Sequence, residues 1–290
     1  MNNRLPVYPI RFTHFYRKHR DMDLTGLIQA LLLGIIEGIT EFLPISSTGH
    51  LIIAEQWLGA RSDMFNIVIQ AGAILAVTVI YWQRLVGFLT GWRDPETRLY
   101  IGKLVVAFLV TSVLGLIAKK LGFKLPETVV PIAWALVIGG FWMILAEYFA
   151  AKRPESSHIS WTVAVMVGIA QVVAGVFPGT SRSASTIFVA MLLGTGNRAA
   201  ATEFAFLVGI PTMYAASAFE IVATLRDGAA AAGEDWLALT VAFIASAITA
   251  FVSVKWLLGY IQTNRFTAFA VYRVLFGGLL FALILTGWVH

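Results

Sequence analysis

Two short runs hold the side chains that could do chemistry. The first is Glu37-Gly38-Ile39-Thr40-Glu41-Phe42-Leu43-Pro44-Ile45-Ser46-Ser47-Thr48-Gly49-His50; the second is Pro178-Gly179-Thr180-Ser181-Arg182-Ser183-Ala184-Ser185-Thr186. Carboxylates, hydroxyls and an imidazole within a few residues are the parts of an activated nucleophile, and an arginine fork suits phosphate oxygens. Both runs interrupt an apolar stretch at a proline. Laid over each other at an offset of 134, Gly34 meets Gly168, Ile35 meets Ile169, Pro44 meets Pro178 and Ser47 meets Ser181. A pair of Gly/Pro-broken apolar segments in corresponding halves points to a binding site near a bilayer midplane.

Ser46 or Ser47 is expected to N-cap a helix through 48–58, and Thr180 or Ser181 one through 182–194. Each cap leaves backbone N–H groups and the positive end of a helix dipole facing the interior, which favours an anion such as phosphate. Ser46, Thr48, Ser181, Ser183 and Thr186 stand at these ends as phosphate ligands beside Arg182. An arginine at membrane depth is a functional residue by default; the plainer reading is one that snorkels or pairs with a glutamate. Glu37 and Glu41 share a helical face with Gly34 and Gly38. Two carboxylates in apolar surroundings do not both ionise uncompensated, so one needs Arg182, a divalent cation or a proton, making the pair a metal site or proton relay. The bland alternative is two acids tied to backbone or to each other for packing. His50 is the one histidine of five inside the apolar region and is expected to pass a proton to or from a serine or a leaving group. The chain has no cysteine and no HExxH spacing, so neither a disulfide nor a zinc site is expected.

Such residues need a membrane to position them. Of the 290 residues 58% are hydrophobic and 13% charged, with a mean hydropathy of +0.79, a composition foreign to soluble domains. The net charge of +5 would also fit nucleic acid, but most Lys and Arg lie between apolar runs, where membrane helices carry their anchors, so no nucleic-acid partner is expected. Residues 1–21, with Arg11, Arg17, Lys18 and Arg20, read as a basic leader outside the core. Apolar runs at 66–82, 100–118, 130–150, 200–219, 236–254 and 268–287 each approach the length that spans a bilayer. A helix over 26–43 that ends at Pro44, followed by a half-membrane stretch over 48–58, instead requires a hairpin that enters and returns on one side. A hairpin restores the chain to its starting side, and three crossings then leave the second half starting on the other. The expected fold is therefore an all-α membrane protein of six transmembrane helices plus two re-entrant helical hairpins, an inverted-topology repeat of residues 22–150 and 160–290 in one membrane domain. Broken backbone inside hydrocarbon is tolerated only within protein or beside a wet cavity, so the hairpin tips should meet. Arg84, Arg93, Arg98, Lys152, Arg153, Lys255 and Arg265 outnumber Lys119, Lys120, Lys124 and Arg226 in the alternate loops, which puts the first set in the cytoplasm, although the leader's charges argue the other way. Gln70, Glu203 and Arg273 are read as structural polar groups or helix-end anchors.

The two runs resemble the signature motifs of the bacterial undecaprenyl-diphosphate phosphatases of the bacitracin-resistance type, and the resemblance extends from about Met22 to the C-terminus. It implies a multi-pass enzyme of the inner membrane that hydrolyses undecaprenyl diphosphate to undecaprenyl phosphate and inorganic phosphate, recycling the lipid carrier of cell-wall synthesis. It further implies six spans with two re-entrant hairpins and a site open to the periplasmic face. The family's motif acids fall on Glu37 and Glu41, its serines on Ser46 and Ser47, its histidine on His50 and its arginine on Arg182. Thr180 and Ala184 depart from the usual pattern, at positions often aromatic and often glycine. A second lipid phosphatase family pairs similar STGH and SR motifs, but its histidine five residues beyond the Ser-Arg pair falls here on Phe188, which disfavours a phosphohistidine route.

The expected reaction is attack on the terminal phosphorus, with Ser47 as nucleophile, Glu41 or His50 taking its proton, and Arg182 and the hairpin N–H groups holding the phosphoryl oxygens. Direct attack by water, with Ser47 only a ligand, stays open. A divalent cation, Mg²⁺ or Ca²⁺, is the expected cofactor, with no organic one. The expected partners are the polyprenyl diphosphate, the bilayer and, as one option, a second copy in a homodimer. The rival class is a transporter or flippase for a phosphate-bearing lipid or anion, which the same architecture would serve.

Overall fold

Among the described residues eleven helices follow one another, and the apolar runs account for most of them: α1 (Leu24–Thr40), α2 (Ser47–Leu58), α3 (Asp63–Ile80), α4 (Trp82–Thr90), α5 (Pro95–Lys120), α6 (Val129–Ala150), α7 (Trp161–Val176), α8 (Arg182–Leu193), α9 (Arg198–Arg226), α10 (Trp236–Thr263) and α11 (Thr267–Leu285). They come from a computed structural model that describes residues 24–122, 128–194, 196–226 and 233–288; among these, every regular element is helical. The basic leader, 1–21, lies outside the described residues. Six helices among the described residues, α3, α5, α6, α9, α10 and α11, are long and apolar enough to cross a membrane, in the regions expected of them. The protein is a multi-pass, all-α membrane protein, and large apolar side chains such as Leu109, Trp134 and Ile248 lie exposed on its flanks, as lipid contact requires.

Local chemistry sets the helix ends. Ser62 caps α3 through the Phe65 N–H at 3.0 Å, and Asp94 caps α5 through the Thr97 N–H at 2.7 Å, with Pro95 at the first helical position. Lys119 and Lys120 close α5 where cations suit the dipole. Residues 84–98, expected to be a polar connection, instead begin with α4, a nine-residue helix with no buried residue. Its Arg84 lies over the rings of Phe88 and Tyr100 and pairs with Glu203 at 3.1 Å.

Lipid tails are as apolar as leucine, so helices gain little by hiding Leu from them; close backbone approach must hold the bundle together. Small residues mark the crossings. A Cβ on Gly34 would lie 2.2 Å from the Ala242 carbonyl oxygen, which sets α1 directly on α10. A Cβ on Gly168 would lie 2.7 Å from that of Ala107, which sets α7 on α5 in the same manner. The α6/α11 crossing is reciprocal, with Gly140 against Ala270 and Val274 and Gly277 against Ala133 and Val137. With α3 on α9, these pairings interlock the halves of the chain. Two pairs of shorter helices, α1 with α2 and α7 with α8, bring their connecting turns at Pro44 and Pro178 into the interior, beside α6 and α9.

Candidate active site

Both turns end in a serine forced into the left-handed region: Ser46 has φ 73° and Ser181 φ 70°, the two non-glycine residues with positive φ among the described residues. Backbone held in such a conformation costs about 1–3 kcal/mol and persists where the surroundings impose it, commonly at functional sites. Each serine caps the next helix, Ser46 accepting from the Gly49 N–H at 3.4 Å and Ser181 from the Ala184 N–H at 3.3 Å. The structural equivalents are thus Ser46 and Ser181, not Ser47 and Ser181 as the overlay on the prolines has it. The second turn is one residue longer between proline and cap. Ser47 and Arg182 then occupy the same position, first in their helices.

From those two positions both side chains converge on Glu41. The Ser47 hydroxyl donates to Glu41 Oε2, and Arg182 Nη2 donates to Glu41 Oε1 at 2.9 Å. A second tie joins the turns, Ser183 Oγ donating to the Leu43 carbonyl at 3.0 Å. Glu41, Arg182, Ser183 and Thr186 border a small space of about 20 Å³, room for about one water. Thr186 turns its hydroxyl back on its own helix, to the Arg182 carbonyl at 2.8 Å, and Ser181 Oγ lies 3.0 Å from Ser183 Oγ. Thr48 is half-buried at the start of α2.

Glu37 is fully buried one turn before Glu41, and neither of its carboxylate oxygens meets a donor among the described residues. A buried carboxylate left so is costly unless a proton or cation joins it. Such a pair can hold either. No cluster of three or more His, Cys, Asp or Glu with metal-site geometry occurs among the described residues.

His50 does not join the cluster. Its Nδ1 lies 2.7 Å from the Ser46 carbonyl oxygen, its Nε2 lies 2.7 Å from Tyr272 Oη, and its ring stacks on Phe276 with centroids 4.3 Å apart. The carbonyl only accepts, so Nδ1 carries the proton and Nε2 takes the phenol hydrogen. Both nitrogens are engaged away from Ser47, and the imidazole props the strained Ser46 turn. Arg273, read from the sequence as structural, is fully buried with no ion-pair partner among the described residues. Its guanidinium donates to the carbonyls of Ala135, Gly179 and Thr180, each at 2.9 Å, and so clamps the second turn. Its part in the site escaped the sequence, although α11 contains no acid to pair with it, which is a readable sign. Glu203 pairs with Arg84, and Gln70 is half-buried in α3, both apart from the cluster.

A carboxylate that bridges a hydroxyl and an arginine across two strained turns is suited to activating the hydroxyl and holding an anion beside it. Known proteins lie close to this chain in sequence. The family described as bacitracin resistance protein BacA matches residues 30–279. A protein of Rhizobium johnstonii named undecaprenyl-diphosphatase is 71% identical over 262 residues, covering 90% of this chain and 98% of that protein. Another of the same name from Rhizobium etli is 70% identical over 262 residues, with the same coverage. One from Xanthomonas euvesicatoria is 62% identical over 257 residues, covering 89% of this chain and 97% of that protein. The chain belongs to the bacitracin resistance protein BacA family.

Proposed function

We propose that this chain hydrolyses undecaprenyl diphosphate to undecaprenyl phosphate and inorganic phosphate, recycling the lipid carrier of cell-wall synthesis and conferring resistance to bacitracin. The observation that carries the reading is the Glu41 carboxylate, joined to Ser47 of one turn and Arg182 of the other. Ser47 Oγ attacks the terminal phosphorus, and its proton passes to Glu41. The bond from that phosphorus to the bridging oxygen breaks, and undecaprenyl phosphate leaves. Water then hydrolyses the phosphoserine, Glu41 returning the proton to Ser47. Arg182 turns from Glu41 to the phosphoryl oxygens as they gain charge, beside the N–H groups of the first turns of α2 and α8. The contact of Ser47 with Glu41 favours this route over direct attack by water, for which Ser47 would be only a ligand.

Glu37 fits a divalent cation, because its two oxygens are buried without donors and Glu41 stands one turn on. Oxygen ligands suit Mg²⁺ or Ca²⁺, with the diphosphate and water supplying the other positions. When bound, the ion would neutralise charge on the phosphoryl oxygens.

We read α1–α2 and α7–α8 as re-entrant hairpins, and residues 22–150 and 160–290 as an inverted repeat. The matched caps, the matched Gly34 and Gly168 crossings and the equal length of α2 and α8 support this. Loop charge orients the site toward the periplasmic face of the bacterial inner membrane. A homodimer is compatible with the exposed flanks.

The test is phosphate release from a long-chain polyprenyl diphosphate by the detergent-purified protein with Mg²⁺ or Ca²⁺. Ser47→Ala and Arg182→Ala, checked for folding, should each lose at least about a hundredfold in kcat. A phosphoserine trapped at Ser47 would establish the covalent route. A folded wild type that releases no phosphate would overturn the enzyme and bring the transporter or flippase forward.

A further inference from the structure

Between α6, α7 and α8, on the side of the second turn away from Glu41, lies a groove of about 600 Å³, within the range of about 300–1,000 Å³ usual for ligand sites. Its walls include Trp134, Ile138, Trp142 and Val173, and its floor is Thr180, Ser185 and Arg273.

The groove has a filled counterpart in the other half. At the spacing set by the reciprocal α6/α11 crossing, Ala135 corresponds to Tyr272 and Gly139 to Phe276, and the two serine caps set Ser185 against His50. On one side His50, Tyr272 and Phe276 stack and hydrogen-bond, closing the crevice. On the other, Ser185, Ala135 and Gly139 leave it open, and all three line the groove. Three ring side chains on one side against three of the smallest on the other set a filled crevice opposite an open groove whose walls, Trp134 and Ile138 among them, are exposed at the protein's flank.

Its floor is cationic. Arg273 is fully buried, has no carboxylate partner among the described residues, and its Nε has no acceptor among them. The first turn of α8 separates the groove from the catalytic cluster: Ala184 and Ser185 face the groove, while Arg182 and Ser183 border the space beside Glu41. An occupant therefore meets apolar walls with a positive charge buried beneath them that no carboxylate pairs among the described residues, which favours an apolar chain bearing an anionic head over a neutral one.

Granted the diphosphatase activity, we propose that this groove receives the head-proximal isoprenoid units of the polyprenyl diphosphate and delivers its head over the second turn to Arg182. The chain's length beyond those units stays in the bilayer.

Filling the groove from either wall tests this. Val173→Trp and Ile138→Trp should raise KM for a long-chain polyprenyl diphosphate by about tenfold, because several buried CH₂ contacts are lost, with kcat kept. The same variants should lower kcat/KM for dimethylallyl diphosphate, a single isoprene unit with fewer contacts to lose, by much less than for the long chain, and Val113→Trp on the exposed flank of α5 should leave both substrates unchanged. Long-chain constants equal to wild type, or an equal loss with the one-unit substrate, would overturn the groove. A diazirine-bearing polyprenyl monophosphate gives a readout that needs no hydrolysis. Labelling of α6 and α7 peptides that polyprenyl phosphate competes away supports the groove even if the wild type releases no phosphate. Labelling elsewhere, or competition by phosphatidylglycerol just as strong, means ordinary bilayer lipid and sinks it.

Discussion

Glu41 and His50 lie on opposite sides of the same turn, and their hydrogen bonds divide the work between them. Glu41 touches the Ser47 hydroxyl and the Arg182 guanidinium, which in the proposed reaction attack the phosphorus and hold the anion. His50 spends both ring nitrogens on Ser46 and Tyr272, so in the proposed reaction its part is to hold the turn in position. The two roles differ in kinetics. Glu41→Gln removes a general base and should lower kcat by about 10²–10⁴. His50→Gln should lower it by up to about 10², the cost of a misplaced reacting group, together with a fall in thermal stability. The discriminating measurement is the pH dependence of kcat: with Glu41 as the base, its acid limb persists in His50→Gln. A profile that flattens in that variant would move the base to His50. Arg273 belongs to the same class of positioning residue, since all three of its acceptors are carbonyls and two of them lie in the second turn.

The helices show what makes these side chains meet. The first turn is carried by α1, and α1 is seated on α10 by two glycines whose missing Cβ atoms admit the partner backbone. Gly34→Val should destabilise the protein by about 1–3 kcal/mol, as overpacking of a tight contact does, and thermal unfolding in detergent would measure it. Gly115→Ala in α5, where a Cβ meets nothing within 4 Å, should be neutral or stabilising by up to about 1 kcal/mol. Equal effects at both sites would mean that helix propensity, rather than the crossing, sets the cost. Much of this is legible in sequence: apolar length marks the six long helices, and Pro44 and Pro178 mark the breaks after α1 and α7, although α1 ends at Thr40 and not at 43, which leaves Glu41 in the turn itself. Glu41, Ser47 and Arg182 could be picked out because each lies in a short polar run within apolar surroundings. What stayed hidden depended on distance along the chain or on register. The direction of His50 is set by Tyr272, 222 positions away. The cap equivalence slipped by one because prolines were aligned where the structure aligns serines. The helix α4 was missed because Arg84 and Arg93 read as loop charge, whereas Arg84 lies over Phe88 and Tyr100 in a short helix.

At the scale of the molecule, no boundary separates the halves. Each short pair leans on a long helix of the opposite half, α1 on α10 and α7 on α5, while α3 meets α9 and α6 meets α11. The site itself is shared, with the carboxylates and Ser47 from one half and Arg182, with the arginine that clamps its turn, from the other. A domain is a unit across whose edges few contacts pass, and by that measure the two halves are not domains. Cutting the chain in the exposed 151–158 connection makes this measurable. Expressed alone, residues 1–155 and 156–290 should each fail to accumulate as folded protein, because each exposes crossings built for backbone-to-backbone contact that lipid fills poorly. Co-expressed, the fragments should co-purify and recover phosphate release, since no helix is cut and the connection lies on the surface. A fragment that is stable and monodisperse by itself would show that the halves are independent folding units, and the shared site would then be an assembly formed after folding rather than a condition of it.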